Sequence, residues 1–481
     1  MSLASSSITS VTKIALDPAD PYFSATRFLE ERHALDRVLA LRHHNGIFYR
    51  YQPTTSYREA EVASIRADLY GWLARAPKAG GQVGEYFKPN QARVGDVVDG
   101  LRALAHWPVD RPAPCWLEPG HVEDPSDLLA CANGILHLPT RALLPSSPHL
   151  FTLNGIGFAY RADASEPRMW LRFMHDLLPE DTDAQDLIQE WLGYLLTTRT
   201  HFQKILMIVG PKRSGKGTIG RVMRELVGRH HLVAPTLATL GEQFGRQVLI
   251  DKTVALIADA RLSGRTDLGV LSEVLLSISG EDPQSVPRKN LTDWTGTLPT
   301  RFTIMTNEIP RLPDASGALA SRFLLVLFRE SFYGREDQML FARLVTELPG
   351  ILNWALDGLA RVTARGRFVQ PPSAADAVTE LENLASPVMA FVREQCVVRA
   401  GVMVEKHALY AAYRAWCQKQ GQSHVETQPT FARNLWAALP FIGEARLGGR
   451  GAQEPFYRGI GIVSEMTETD TNDVYRVGSE A

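Results

Sequence analysis

The stretch GPKRSGKGT, Gly210-Pro211-Lys212-Arg213-Ser214-Gly215-Lys216-Gly217-Thr218, joins the apolar run KILMIV to a helix-like pattern. Glycines spaced in this way let successive backbone N–H groups face one anion, while the lysine reaches the terminal oxygens of a bound polyphosphate. A helix that starts at the loop adds the partial positive charge of its N-terminus. The chemistry these nine residues suit is the holding of a nucleotide's phosphates. One position departs from the pattern: after the lysine, where a Ser or Thr ordinarily ligates Mg²⁺, stands Gly217, and the hydroxyl follows one place later as Thr218.

Three polar residues at the ends of later apolar runs extend the site. Asp259 closes TVALIAD and is suited to hold Mg²⁺ beside Thr218, through water. Asn307 closes RFTIMTN, where an amide can orient an attacking water or sense a γ-phosphate. Arg322 opens RFLLVLF, from where a guanidinium can reach the nucleotide of a neighbouring subunit and stabilise transferring charge, an effect of about 10³-fold or more. Taken singly, these are an ordinary strand-end carboxylate, a turn former and a surface arginine. Their order after the loop carries the reading. Asp259 lies between Ala258 and Ala260 with no second acid, so the general base stays open between Glu308 and Glu273. The turn Pro287-Arg288-Lys289-Asn290 can contact DNA phosphates, although a basic loop in isolation is usually only solvated.

Four apolar strand candidates alternate with loops and helices over 204–328, which predicts a largely parallel, helix-covered sheet. Ahead of it, residues 1–115 read as a mixed α/β accessory unit, with helical patterns flanking GIFYRYQ. A proline-rich break follows, then ANGILHLPTRALLP, a hairpin with turn signals at Asn133-Gly134 and Pro139-Thr140, and a helical pattern over 183–200. Residues 116–200 are therefore expected to form a helical unit, 201–370 the phosphate-binding domain, and 371–385, with Pro371-Pro372, a linker. Over 386–465 two helical patterns and a Gly-rich hairpin predict a winged helix. Arg433 would lie on its recognition helix and Arg446, Arg450 and Arg458 in the hairpin, with Trp416, Trp436 and Phe441 at core-like positions. Residues 466–481 read as an acidic tail.

At 481 residues the chain needs several cores. A net charge of −2 gives no global basic field, so nucleic-acid contacts must be local. The four cysteines are far apart and form no C-x-x-C pair, which suggests neither a zinc site nor a disulfide framework. The start lacks a cationic segment followed by an apolar one, and no apolar run approaches the roughly 18 residues of a membrane span, so a cytoplasmic location and no membrane partner are expected.

In order, GPKRSGKGT, VALIADAR, ISGEDPQSVPRKN, RFTIMTNEIPRL and GALASRF resemble the motifs of superfamily 3 helicases, in the phage/plasmid primase-helicase group related to poxvirus replication proteins. The resemblance runs over about 112–463. It implies an α/β multidomain fold: an AAA+-like P-loop ATPase core, helical N-terminal domains that assemble the oligomer, and a C-terminal winged helix. It implies ATP and Mg²⁺ as cofactors, hydrolysis between the subunits of a hexameric ring, and 3′-to-5′ translocation on single-stranded and forked DNA for a phage or mobile element in a bacterial host. Lys216 and Thr218 would bind phosphates, Asp259 organise the metal, Asn307 act as sensor and Arg322 act in trans, with Arg288 and Lys289 gripping DNA in a central channel. The residues ahead of the proline-rich break offer only LDPADP as an acidic cluster, so a separate primase or polymerase is the expected partner. Two alternatives remain: a nucleotide kinase, whose loop shares this spelling but which needs a nucleoside-monophosphate pocket and an arginine-rich lid, and a docking module that binds nucleotide without hydrolysing it.

Overall fold

The computed structural model describes residues 14–54, 56–258, 267–289, 291–314, 317–421, 425–447 and 454–463. Its centre is a five-stranded, all-parallel sheet in the spatial order Leu232–Val233, Val254–Ile257, Arg301–Thr306, Ile205–Val209, Phe323–Leu327. These strands read as unbroken apolar runs because helices cover both faces. Leu206 and Ile208 point into one layer, and Ile205 and Met207 into the other. Four of the five strands coincide with the predicted runs; the two-residue edge strand Leu232–Val233 was not anticipated.

The first layer holds the loop helix Lys216–Val227 together with Arg168–Leu177, Thr182–Leu195 and Leu348–Arg365. Residues 116–200 therefore do not form a helical unit with a core of their own. They open with a three-stranded antiparallel sheet, Leu128–Cys131, Gly134–His137 and Ala142–Leu144, and their helices share the central sheet's core. Helix Thr182–Leu195 is buried at every position from Leu187 onward, so it needs partners on all sides. Two glycines permit its contact with Leu348–Arg365. A Cβ at Gly193 would stand 2.2 Å from the Ala355 carbonyl oxygen, and one at Gly358 2.5 Å from the Gln189 backbone. Beside this contact the buried Glu190 carboxylate accepts from Arg361 Nε at 2.7 Å and Arg365 Nη2 at 2.5 Å, which offsets its desolvation.

The second layer comprises helix Leu268–Ser279, the hairpin Gln284–Arg288/Leu291–Gly296, and helix Ala375–Ala385. The expected linker is thus mostly helix. Ala374, Ala377 and Leu381 enter the sheet's core, and the Gln370 side chain both accepts from the Leu325 N–H (3.0 Å) and donates to its carbonyl (2.8 Å). In doing so it occupies the open edge of the last strand as a further strand would.

The N-terminal unit packs helices Pro21–His33, Val62–Leu73 and Gln91–Leu104 around its own core, with a sheet of Leu41–His44, Ile47–Gln52 and Ser56–Glu59. The helical pattern ahead of GIFYRYQ ends at His33. There Asp36 and Arg37 take φ of 48° and 67° and turn a small hairpin, Ala34–Leu35/Val38–Leu39. The sheet docks on the central domain through the Tyr49 hydroxyl on the Asp251 carboxylate, and through Arg58 on the His231 ring and on the carbonyls of Leu153 and Gly155, both at 3.2 Å.

The C-terminal unit has a separate core built from helices Pro387–Gln395, Lys406–Lys419 and Gln428–Ala438 and a three-stranded sheet ordered Cys396–Glu405, Glu454–Ile462, Gly443–Leu447. Trp416 and Trp436 pack in or against that core, as read, but Phe441 is 69 % exposed and Ile442 takes the core place next to it. The tail, 466–481, lies outside the described residues. Among the described residues no helix is long and apolar enough to cross a membrane.

Burial, and then the Arg50 guanidinium, lower the His33 pKa from 6.5 to about 4. Its folded pKa lies below the unfolded one, so its contribution is complete above pH 6.5 and is lost as pH falls toward 4. Thermal melts are expected to show a loss of up to roughly 3 kcal/mol across this window that is absent in His33→Phe.

Candidate functional site

Val209 and Thr306 pair across adjacent parallel strands, and the Gly210 N–H donates to the Thr306 carbonyl at 3.1 Å. The two strands therefore end side by side, bringing the residues that follow them, the glycine-bounded loop and Asn307, to one point. The carboxyl ends of such strands are where open α/β sheets bind ligands. Lys216 begins the loop helix, and its Nζ donates to the carbonyls of Gly210 (2.6 Å) and Pro211 (2.9 Å), to Ser214 Oγ (3.2 Å) and to Asn307 Oδ1 (3.2 Å). Gly215 has φ +87°, and a Cβ there would meet Leu177 Cδ2 at 2.6 Å, so only glycine lets the loop turn against helix Arg168–Leu177. Gly217 has open space where its Cβ would be.

The loop from Lys212 to Thr218 and Asn307 line a cavity of about 1410 Å³. Its other walls come from residues the sequence reading passed over. Arg168, Arg172 and Asp176 stand on one helix, Arg221 on the loop helix, and Arg335, Glu336, Asp337, Arg343 and Glu347 beyond the last strand. With Lys212, Arg213 and Lys216, eight cationic side chains face four carboxylates, and three of those acids are engaged. Glu336 pairs with Arg213 at 3.4 Å, Asp337 pairs with Arg343, and Glu347 caps a helix by accepting from the N–H groups of Met169 (3.1 Å) and Trp170 (2.9 Å). The excess of positive charge in a concave site attracts polyanions. The i, i+4 spacing of Arg172 and Asp176 on a strongly amphipathic helix was the available signal for this wall, but only the fold turns that face toward the loop.

Thr218 lies in the first turn of the helix, where its Oγ1 accepts from Arg221 Nη2 at 3.2 Å. A hydroxyl completed by phosphate oxygens and waters is a donor set that suits a hard cation such as Mg²⁺. Asp259 lies outside the described residues, as does Arg450. Glu308 and Glu273 are exposed and do not line the cavity, whereas Asp176 does.

Two expected roles meet different geometry. Arg288 does not project from its hairpin. It is buried, with Nε donating to the Thr292 carbonyl at 2.8 Å and Nη1 to the Asn45 carbonyl of the N-terminal unit at 3.1 Å. Lys289 beside it is exposed. Arg322 bonds the end of its own chain's helix Leu268–Ser279, on the Leu276 carbonyl and on Ser279 Oγ at 2.9 Å. Burial and the nearby Arg322 guanidinium lower the pKa of Lys204, whose Nζ donates to the Ser321 carbonyl at 2.7 Å. Arg433, Arg446 and Arg458 are exposed on the C-terminal unit, on its third helix and its hairpin.

Comparison with known proteins gives three partial family matches. Residues 208–322 match a family of unknown function, DUF5906; residues 385–464 match the RFX DNA-binding domain; residues 90–179 match a family described as D5 N terminal like. No curated protein matches the chain. Among solved structures, the chain is similar to the A form apo structure of the NrS-1 C terminal region, at 12 % identity and TM-score 0.49, covering 92 % of this chain and 100 % of that one. A further apo structure of that region matches at 12 % identity and TM-score 0.48, covering 92 % and 99 %. The protein is a multidomain α/β chain built on a parallel sheet.

Gly215→Ala should weaken the binding of any polyphosphate that the loop takes, read with a fluorescent ATP analogue, by at least about tenfold. Gly217→Ser, whose side chain enters open space, should leave the affinity within about twofold, as equilibrium titration would measure.

Proposed function

We propose that the chain is an ATP-hydrolysing DNA motor of the superfamily 3 type, acting in replication of a phage or mobile element. The observation that supports this most is the meeting of the Lys216 ammonium and the Asn307 amide, 3.2 Å apart, at the mouth of a cation-rich cavity. In this reading Lys216 exchanges its loop carbonyls for phosphate oxygens, the loop N–H groups and the helix N-terminus hold the rest of the anion, and Asn307 orients water. Thr218 and Asp259 would hold Mg²⁺, which when bound neutralises charge on the β and γ oxygens. Arg322 would serve a neighbouring subunit by leaving Leu276 and Ser279, which makes its finger role conditional on assembly, here taken as a hexameric ring.

The D5-type match over 90–179 supports a place among primase-helicase-associated proteins, and the RFX match over 385–464 supports DNA contact through Arg433, Arg446 and Arg450. Lys289 is the hairpin's DNA contact in this reading, with Arg288 as the anchor behind it. A separate primase or polymerase completes the partners, in the cytoplasm of a bacterial host. A nucleotide kinase draws support from Arg172, Arg335 and Arg343 around the same cavity, which supply cations that a second nucleotide would need.

ATP turnover with and without single-stranded DNA separates these readings. Turnover stimulated by DNA is expected, lowered at least about 100-fold in Lys216→Ala, with most of the stimulation removed in Lys289→Ala. Turnover indifferent to DNA but dependent on a nucleoside monophosphate would establish the kinase instead, and binding without turnover a docking module.

A further inference from the structure

A second cavity, of about 520 Å³, is lined wholly by the N-terminal unit, and neither the sequence motifs nor the family matches assign it a role. Aromatic and cationic groups line it together. Phe28, Tyr51 and Trp72 supply rings, and Trp72 is held in place by its Nε1 donating to Glu31 at 2.9 Å and by an edge-on contact with Phe28. Arg50 lines the pocket paired with its single carboxylate, Asp68, at 2.8 Å, which leaves the positive charge of Arg32 and Arg75 uncompensated. Both are exposed, and neither makes an ion pair or side-chain hydrogen bond among the described residues. His33, 7 % exposed, also lines the pocket, and its Nε2 has no hydrogen-bond partner. Its lowered pKa keeps the ring neutral near pH 7, so the positive charge of the pocket comes from its arginines alone.

We propose that this pocket holds one nucleotide of a single-stranded DNA, the base against Trp72 and the backbone phosphate met by Arg32 and Arg75. Stacking rings combined with a cationic rim are how proteins hold single strands without sequence preference. The volume falls within the range of small-ligand pockets. Two uncompensated cations suit a phosphodiester, whereas a free nucleoside triphosphate would find no glycine-bounded loop here. The inference does not depend on ATP hydrolysis, because none of these residues lines the other cavity.

Gly71 provides the test. It lies on the pocket wall in helix Val62–Leu73, with open space where its Cβ would be. Gly71→Leu therefore fills the pocket while raising helix propensity. In a full-length Lys216→Ala background, an oligothymidylate carrying 5-iododeoxyuridine would be photo-cross-linked and the adducts mapped by mass spectrometry. The expected result is an adduct on the peptides containing Trp72 or Tyr51, with its yield reduced at least about fivefold in Gly71→Leu and in Arg32→Ala/Arg75→Ala, at an unchanged or higher Tm for Gly71→Leu. No adduct in the N-terminal unit, or an equal yield in Gly71→Leu, would overturn the proposal. Competition by thymidine 5′-monophosphate at the same nucleotide concentration as the strand would overturn the strand as the source and assign the pocket to free nucleotides.

Discussion

A single buried cation ties the central domain together. Arg301 begins the middle strand of the sheet, enclosed and, among the described residues, without an ion-pair partner. Its guanidinium donates instead to carbonyls: Tyr194 at 2.9 Å, Thr197 at 2.7 Å, Arg199 at 3.2 Å and Thr253 at 3.2 Å. Burial lowers its pKa to about 10, still far above neutrality, so the charge is kept. Carbonyls at the end of a buried helix such as Thr182–Leu195 need partners from beyond its regular hydrogen-bond ladder. Arg301 meets the Tyr194 carbonyl of that last turn, which also accepts from Thr197, and with the carbonyls of Thr197 and Arg199 it holds the chain leaving the helix toward Ile205–Val209 against the sheet. The same layer places Phe173 and Leu177 against Gly215 and thereby sets the wall of the cavity at the glycine-bounded loop.

The charges of this protein divide into those used for assembly and those left available. Glu190 with Arg361 and Arg365, Arg288 on Asn45, and Arg322 on the end of helix Leu268–Ser279 are engaged within the chain. The cavity at the glycine-bounded loop, by contrast, keeps more cations than its carboxylates balance. The Arg288 contact also has a mechanical consequence. The hairpin Gln284–Arg288/Leu291–Gly296 is anchored to the N-terminal unit, so a displacement of one has to strain or break its bond to the other.

The sequence by itself determined the loop, four strands of the sheet, the hairpin at Asn133-Gly134, and the two helices with following hairpin near the C-terminus. These follow from local chemistry: glycine positions, unbroken apolar runs and turn-forming pairs act over a few residues. It also offered Lys216 and Asn307 for one site through the order of the motifs, whereas the pairing of their two strands, which brings them together, is tertiary. Tertiary structure decided the rest. Whether residues 116–200 and 371–385 stand apart or join the central core depends on contacts such as Gly193 on Ala355, between positions more than 150 residues apart. The cavity's remaining wall, from Arg168 to Asp176 and from Arg335 to Glu347, is assembled from segments on either side of the sheet in sequence. Arg288 and Lys289, adjacent and alike in type, part company because one turns onto the Asn45 carbonyl and the other faces solvent. A side chain's type records what it can bind; only packing decides what it finds.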